Sequence, residues 1–508
     1  MSVPIATLVA LVVLGATGAV PVVAAVGPRW VAIPLAPLAG GVVAAGAAVA
    51  EVALPGPFVL WFVLLAVVGA AAGAWWWREG RRRAGGVPVP LASGAGYRWV
   101  GTVGAIATFA TCAAVLRGLA TPTVGFDARA LWLMRAGWFL QGHHQLVADL
   151  RLRELTLPQT AYPPLVSAAT AVSWAVTGVH TDRVGVTVVA VLNACAMAAA
   201  ALGVVECGRR VATRGGHRRL AWAPAAAALV AAPLLVIVTA GVTTPFLTNG
   251  YADPIWSLAA VGVMVWGLQA QSSAPAGAVT ALLVLVTGLS KDEGVVIGAA
   301  LVVLVALRAL SGLPVGERLR KGGRPLVTAG VELGAIAAWP VMMRVIHARG
   351  VSLPHSRPST YVERAHAAAA GFAPYLHVLV LAVPLAVVGG LVLGGVRRQS
   401  GLGNDLWAWA GLAAGLLAIG GALVTGTAAV RPWLVTTVHR ITEFPVLAAW
   451  WIVAVWGVVG AAALTEPDPA ATVGAPADRR GRDARRPAGP ATSEPASELE
   501  GEGSVIRG

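Results

Sequence analysis

The sequence predicts an all-α protein, a polytopic transmembrane helical bundle that crosses the bilayer about thirteen times. Three observations carry that prediction. The chain of 508 residues is 57% hydrophobic and 12% charged, with a mean hydropathy of +0.75, whereas soluble domains carry about 25% charged residues. Long stretches hold no charge at all, among them Thr280–Ser290, Gly294–Leu307 and Leu406–Val430. The apolar runs are also continuous rather than alternating, which selects helices over a barrel.

The runs fall in order along the chain. Residues 5–26, 31–54 and 57–77 lead to a first basic cluster, Arg78, Arg81, Arg82 and Arg83. The first run has no basic flank ahead of it and reads as a retained span rather than a cleaved signal. Arginine-rich connections mark the cytoplasmic side, so the N-terminus is expected outside. Run 98–119 goes out, and 121–162 is an outer loop. The next basic cluster, Arg209, Arg210, Arg214, Arg218 and Arg219, must again be inside, yet two runs precede it, 163–178 and 184–206. Two full crossings would put that cluster on the wrong side. The shorter run, opened by Pro163-Pro164, is therefore expected to be re-entrant or interfacial.

Runs 221–242, 254–270, 276–290 and 294–310 then alternate out and in, ending at Arg308, Arg318, Arg320, Lys321 and Arg324. Run 325–346 goes out and 375–395 returns to Arg397-Arg398; 406–429 goes out and 443–465 returns. Residues 466–508 are rich in Pro, Ala, Arg and Glu and lack apolar periodicity, as in a disordered tail, here cytoplasmic. The chain thus divides into N-terminal helices 1–97, a main membrane domain 98–465 and the tail 466–508.

A net charge of +14 does not point to nucleic acid. The basic residues sit in short clusters between apolar runs, the arrangement of anchors beside acidic lipid head groups. Cys112, Cys195 and Cys207 lie in or at the ends of apolar runs and read as small core residues. Glu332 falls near the inner end of its run and reads as a solvated flank.

The same topology places the unusual polar residues on the outer side. Asp127 and Asp253 fall in outer loops, Lys291-Asp292-Glu293 form a tight outer turn, and 347–377 is an outer loop holding Arg357 and Arg364. His439, Arg440 and Glu443 open the last span. Ionisable groups at membrane depth are costly and mark functional sites. After Asp127, the residues Trp132, Arg135, Trp138 and Phe139 recur at helical spacing, which predicts an amphipathic interfacial helix with its rings at head-group level. Asp127 just ahead of it is either the helix N-cap or a carboxylate held at the membrane surface.

Five short patterns now occur in order. They are Phe126-Asp127-Ala128-Arg129-Ala130-Leu131-Trp132 with Arg135-Ala136, then Tyr162-Pro163-Pro164-Leu165, then Asn249-Gly250-Tyr251-Ala252-Asp253-Pro254. Gly288-Leu289-Ser290-Lys291-Asp292-Glu293-Gly294 and Val438-His439-Arg440 with Pro445 complete the series. Together they resemble the GT-C superfamily of polytopic glycosyltransferases, in particular bacterial members related to the protein mannosyltransferases and aminoarabinose transferases. The resemblance covers roughly residues 100–460 and makes 98–465 the catalytic membrane domain. Two positions depart from the family pattern: Arg135 stands where it has Lys, and His439 where it has Asp before the late arginine.

The resemblance implies an inverting transferase that takes a sugar from a polyprenyl-phosphate donor on the extracytoplasmic face of the plasma membrane. A glycan, lipid or protein of the cell envelope would be the acceptor. Asp127 would be the general base, within hydrogen-bond reach of the acceptor hydroxyl. Lys291 and Arg440, with Arg357 and Arg364 behind them, would meet the charge growing on the leaving phosphate. Asp253, Glu293, Tyr162 and His439 would orient the acceptor. No cofactor is expected; Asp253 and Glu293 leave a divalent cation as the alternative to a metal-free mechanism. The Ala-, Gly-, Val- and Arg-rich composition suggests a GC-rich actinobacterial source. A lipid-linked glycan polymerase or ligase, and a lipid or solute transporter, are the competing classes. A transporter usually shows repeated halves and charges at mid-membrane, and neither is visible here.

Overall fold

The computed structural model describes residues 1–83, 97–116, 123–152, 160, 162–214, 222–244, 246–270, 273–311, 316, 322–348, 357–373, 384, 406–425 and 440–463. The tail 466–508 and all but one residue of the expected crossing 375–395 lie outside them. Among the described residues every regular element is helical. Among the described residues nine helices are long and apolar enough to cross a membrane. They are α1 (Val3–Val26), α2 (Ala32–Ala53), α3 (Phe58–Arg83), α4 (Arg98–Leu116), α8 (Asp182–Arg214), α9 (Ala223–Thr243), α12 (Asp292–Ser311), α13 (Gly323–Val345) and α16 (Glu443–Ala463). Between α4 and α8 come a π-helix (Ala128–Leu133), α5 (Met134–Phe139), α6 (His143–Arg151) and α7 (Leu165–Thr177). The rest are α10 (Asp253–Ala270), α11 (Ala274–Ser290), α14 (Tyr361–Phe372) and α15 (Leu406–Thr425).

The packing rests on small residues. On α1 the buried face is Ala6, Ala10, Leu14, Gly18 and Val22, one residue per turn. A Cβ on Gly18 would lie 2.0 Å from the Ala36 carbonyl oxygen, and one on Gly40 2.1 Å from that of Leu14. The backbones of α1 and α2 therefore touch, as small residues allow in membrane bundles. At the centre stands α10, buried without a break from Asp253 to Gly267 and packed on α8, α11 and α16. A helix surrounded by protein need not be as apolar as one facing lipid. That is why α10 tolerates Asp253 at one end and Gln269 at the other, where Gln269 donates to the Gly203 carbonyl at 3.1 Å.

Contacts between helix ends fall into two sets. In one, Trp30 donates to Thr102 at 3.1 Å, Arg29 lies in the field of Glu206, Arg209 and Arg210, and Arg308 donates to Leu268 O at 3.2 Å and sits 5.2 Å from the Trp407 ring. In the other, His143 Nδ1 meets Glu51 O at 2.6 Å, Arg129 pairs with Asp182 at 2.8 Å, and Arg151 donates to Ile346 O at 2.7 Å. Every one of these contacts joins segments that the order of crossings assigns to the same side. The short run 163–178 forms α7, whose 13 residues reach about 20 Å, less than the hydrocarbon thickness of about 30 Å. Arg135 holds its start through Ser167 Oγ at 3.2 Å, and Arg129, six residues earlier, holds Asp182 just beyond its end. Both ends of α7 are thus tied to one short helical stretch.

Two expectations are corrected here. The stretch after Asp127 is not an amphipathic helix with rings among head groups. Trp132 and Phe139 are buried at 0% and 1% exposure, and Trp138 at 8%; Phe139 stacks on Phe58 with ring centroids at 5.6 Å. The rings fill protein, because α3, α7 and α13 close over that face. Glu332 is not a solvated flank either: it is buried, facing a cavity between α11, α12 and α13.

Candidate active site

Asp127, Asp253, Lys291, Glu293 and Arg440 come from four separate segments and form one unbroken line of charges. Arg440 Nη1 donates to Asp127 Oδ2 at 2.5 Å. Its Nη2 lies 3.0 Å from Asp253 Oδ2. Lys291 Nζ donates to Asp253 Oδ1 at 2.6 Å and lies 3.1 Å from Glu293 Oε1. Acid and base alternate from one end to the other. The middle of the line is sealed, with side-chain exposures of 0% at Asp253, 3% at Lys291 and 10% at Arg440. The two ends are open, at 23% for Asp127 and 20% for Glu293. Incoming molecules can therefore reach the Asp127 carboxylate more easily than the cations behind it, whereas Glu293 Oε2 is buried.

Local structure explains each placement. Asp253 is the first residue of α10, where a carboxylate gains from the helix N-terminus. Lys291 is the single extended residue between α11 and α12, with φ −160° and ψ 163°, so its side chain leaves the helix direction and turns toward α10. Asp127 precedes the π-helix with αR backbone and makes no side-chain capping bond. The N-cap alternative is thereby corrected: the carboxylate turns to Arg440 instead. The π-helix itself widens the turn between Asp127 and α5, a distortion frequent at functional sites.

A backbone seam joins the first and third sequence patterns. Gly125 N–H donates to Asn249 O at 2.9 Å. A Cβ on Gly125 would fall 2.0 Å from the Tyr251 ring, and Gly250, at φ 88°, leaves only 2.9 Å to the Ala128 methyl. That seam lays the Tyr251 ring against the Arg440 guanidinium at 4.7 Å, a cation–π contact. On the other flank Tyr162 stacks on Trp132, with centroids at 5.3 Å, and lies 5.9 Å from Lys291 Nζ. Tyr162 is thus part of the cluster's wall rather than an anchor in the lipid interface.

Arg135 is wholly occupied within the protein. It donates to Ser167 Oγ, Tyr162 O, Thr160 O and Pro163 O, between the rings of Trp132 and Trp339. One guanidinium, with its five donors, fixes the Tyr162-Pro163 turn.

The electrostatics follow from the pairing. Burial alone would lower the Lys291 ammonium, but Asp253 and Glu293 outweigh it and the net shift is upward. Burial acts the same way on Arg440, and Asp253 and Asp127 again outweigh it. Both stay cationic at neutral pH. Burial, reinforced by Glu293 and Asp292, pushes the Tyr162 phenol well above its usual range, so it stays neutral. Burial pulls Arg135 down to about 10, still protonated at neutral pH.

Among the remaining residues singled out in the sequence, Arg364 donates to Leu423 O at 2.8 Å and Val424 O at 3.0 Å, closing the end of α15. Arg357 is exposed ahead of the short 3₁₀ turn Pro358–Thr360. Neither joins the line of charges. His439 lies outside the described residues. Three residues at the site were not singled out as site residues: Tyr251, Arg135 and Glu443. The last is 1% exposed, with Oε2 3.3 Å from Ser257 Oγ, one turn below Asp253. Tyr251 and Arg135 sat inside the quoted patterns, and Glu443 three residues after Arg440, so proximity to the patterns was the available signal.

Among the described residues no three His, Cys, Asp or Glu side chains are arranged to hold a metal ion. Between Asp253 and Glu293 the position suited to a cation is taken by Lys291 Nζ. Chemically the arrangement offers an accessible carboxylate that can accept a proton and, directly behind it, a guanidinium that can receive an oxyanion. No family model matches this chain, and no similar protein is found among curated proteins or among solved structures.

Proposed function

We propose that the chain is a membrane glycosyltransferase of the GT-C type, with about thirteen crossings, that moves a sugar from a polyprenyl-phosphate donor to an acceptor with inversion. The observation that supports it is the meeting of Asp127, Asp253, Lys291, Glu293 and Arg440 at one end of a helical bundle, over a separation of 313 residues between the outermost pair. On this reading that end faces the extracytoplasmic side of the plasma membrane and the tail 466–508 is cytoplasmic. The donor's prenyl chain lies in membrane lipid, and a glycan, lipid or protein acceptor enters from outside.

In the transfer, Asp127 takes the proton of the acceptor hydroxyl as that oxygen bonds to the anomeric carbon. The bond from that carbon to the phosphate oxygen breaks, and its electron pair leaves on the phosphate. Arg440 meets the growing negative charge, a preorganised donor in a water-poor site. Lys291, bracketed by two carboxylates, acts at longer range by holding Asp253 in place. Asp253 in turn fixes Arg440, and Glu293 at the far end of the line orients the acceptor together with Tyr162.

The test is transfer from radiolabelled polyprenyl-phosphate sugars by the full chain in detergent or vesicles, with wild type beside Asp127→Asn. Wild type is expected to transfer label and the variant to insert normally while losing at least about a hundredfold in rate, the scale of one general base. Full turnover by Asp127→Asn removes it as the base, and no transfer from any such donor by wild type removes the reading.

A further inference from the structure

Among the described residues, Asp127 is the polar partner that joins Arg440 to the open side of the site. Its Nη2 side is held by Asp253, which is fully buried, and its guanidinium lies 4.7 Å from the Tyr251 ring. The remaining amino group, Nη1, is bonded to Asp127 Oδ2. Asp127 is the more exposed partner, 23% against 10% for Arg440. Any anion that approaches Arg440 from outside therefore arrives where the Asp127 carboxylate stands. Lys291 offers no detour, because Asp253 and Glu293 flank its ammonium and Tyr162 walls it off.

We infer that Arg440 is a shared latch: the phosphodiester monoanion of the donor and the Asp127 carboxylate compete for Arg440 Nη1, so donor binding releases Asp127. This rests on the transferase reading and adds an order to it. Without donor, the Asp127 carboxylate is held by Arg440 and does not face an acceptor hydroxyl. When phosphate replaces it on Arg440, the carboxylate loses that contact and is free to turn to the acceptor hydroxyl. The base is thus armed only while a donor is present. Asp253 and Tyr251 hold the guanidinium during the exchange, so only one hydrogen-bonding partner changes. Competition for one site is reciprocal in free energy: what holds Asp127 in place weakens phosphate binding by the same factor.

The consequence is unusual for a variant in the reacting machinery. Removing the Asp127 charge should tighten binding of the phosphate while it abolishes transfer. The experiment measures binding of farnesyl phosphate, with farnesol as the uncharged control, to purified full-length protein in detergent. Four forms are compared: wild type, Asp127→Asn, Arg440→Gln and the double variant. Asp127→Asn is expected to bind farnesyl phosphate about tenfold more tightly than wild type. Arg440→Gln should bind more weakly, and the double variant like Arg440→Gln, because the competition needs the guanidinium.

Unchanged or weaker binding by Asp127→Asn overturns the latch while leaving the donor reading intact. So does a gain that persists in the double variant, since it would come from charge removal in general. If wild type and Asp127→Asn bind farnesyl phosphate no better than farnesol, the donor class is wrong and the latch fails with it. Thermal unfolding of each form checks folding, and Arg440→Lys, which keeps the charge, should retain part of the Asp127-dependent difference if Arg440→Gln is unstable.

Discussion

At Asp253 two cations share one fully buried carboxylate. Charges that far from water are tolerated only with full compensation, and deleting one partner strands the others. Asp253→Asn should destabilise the bundle by about 3–5 kcal/mol, read as a lower unfolding midpoint in detergent. Adding Lys291→Met to Asp253→Asn should cost less than the two separate losses, because the second change removes a cation that the first left unpaired. Additive losses would show that the two residues do not act as a pair. Neither outcome depends on what reaction the site performs. Residue types told less than positions here: four outer cations, Lys291, Arg440, Arg357 and Arg364, were candidate phosphate ligands, and side-chain geometry separated them. Arg440 is joined to Asp127, whereas Arg364 is spent on the end of α15.

Two elements set the site's geometry, the π-helix with α5 and the turn that leads into α10. Their contact runs through glycines rather than side chains. Gly125→Ala puts a methyl group 2.0 Å from the Tyr251 ring, so Tyr251 must leave Arg440 or the turn must shift. The variant should keep its helices and membrane insertion and lose the site's activity, measured as transfer beside circular dichroism. Gly250→Ala forces a Cβ into a positive-φ position, a strain of about 1–2 kcal/mol, in addition to the clash with Ala128. Arg135→Lys should also be damaging despite keeping the charge. A single ammonium cannot replace a fork that serves Ser167, Tyr162, Thr160 and Pro163 together. Loss of stability in Arg135→Lys comparable to Arg135→Ala would show that geometry rather than charge holds the Tyr162 turn.

For the whole molecule, the grouping of helix ends makes the sidedness testable. In a background with Cys112, Cys195 and Cys207 replaced, single cysteines at Gln141 and His366 should react with an impermeant thiol reagent from the same compartment. One at Ser311 should react only from the other. Gln141 and Ser311, both exposed, lie at opposite ends of the expected crossings. Labelling of both from one side would break the alternation on which the common site depends.

Hydrophobic length was enough to read the helices and their order, because both are local properties of the chain set by the bilayer's thickness. The same local signals misjudged 128–139, where helical spacing of large rings describes a buried face as well as a lipid-facing one. They also treated Glu332 as wet, since a carboxylate near a helix end says nothing of what packs over it. Which charges meet depended on the tertiary structure. Pairing of Asp127 with Arg440, and of Asp253 with both Arg440 and Lys291, is a matter of a few ångströms between segments far apart in sequence, and no local pattern carries that distance.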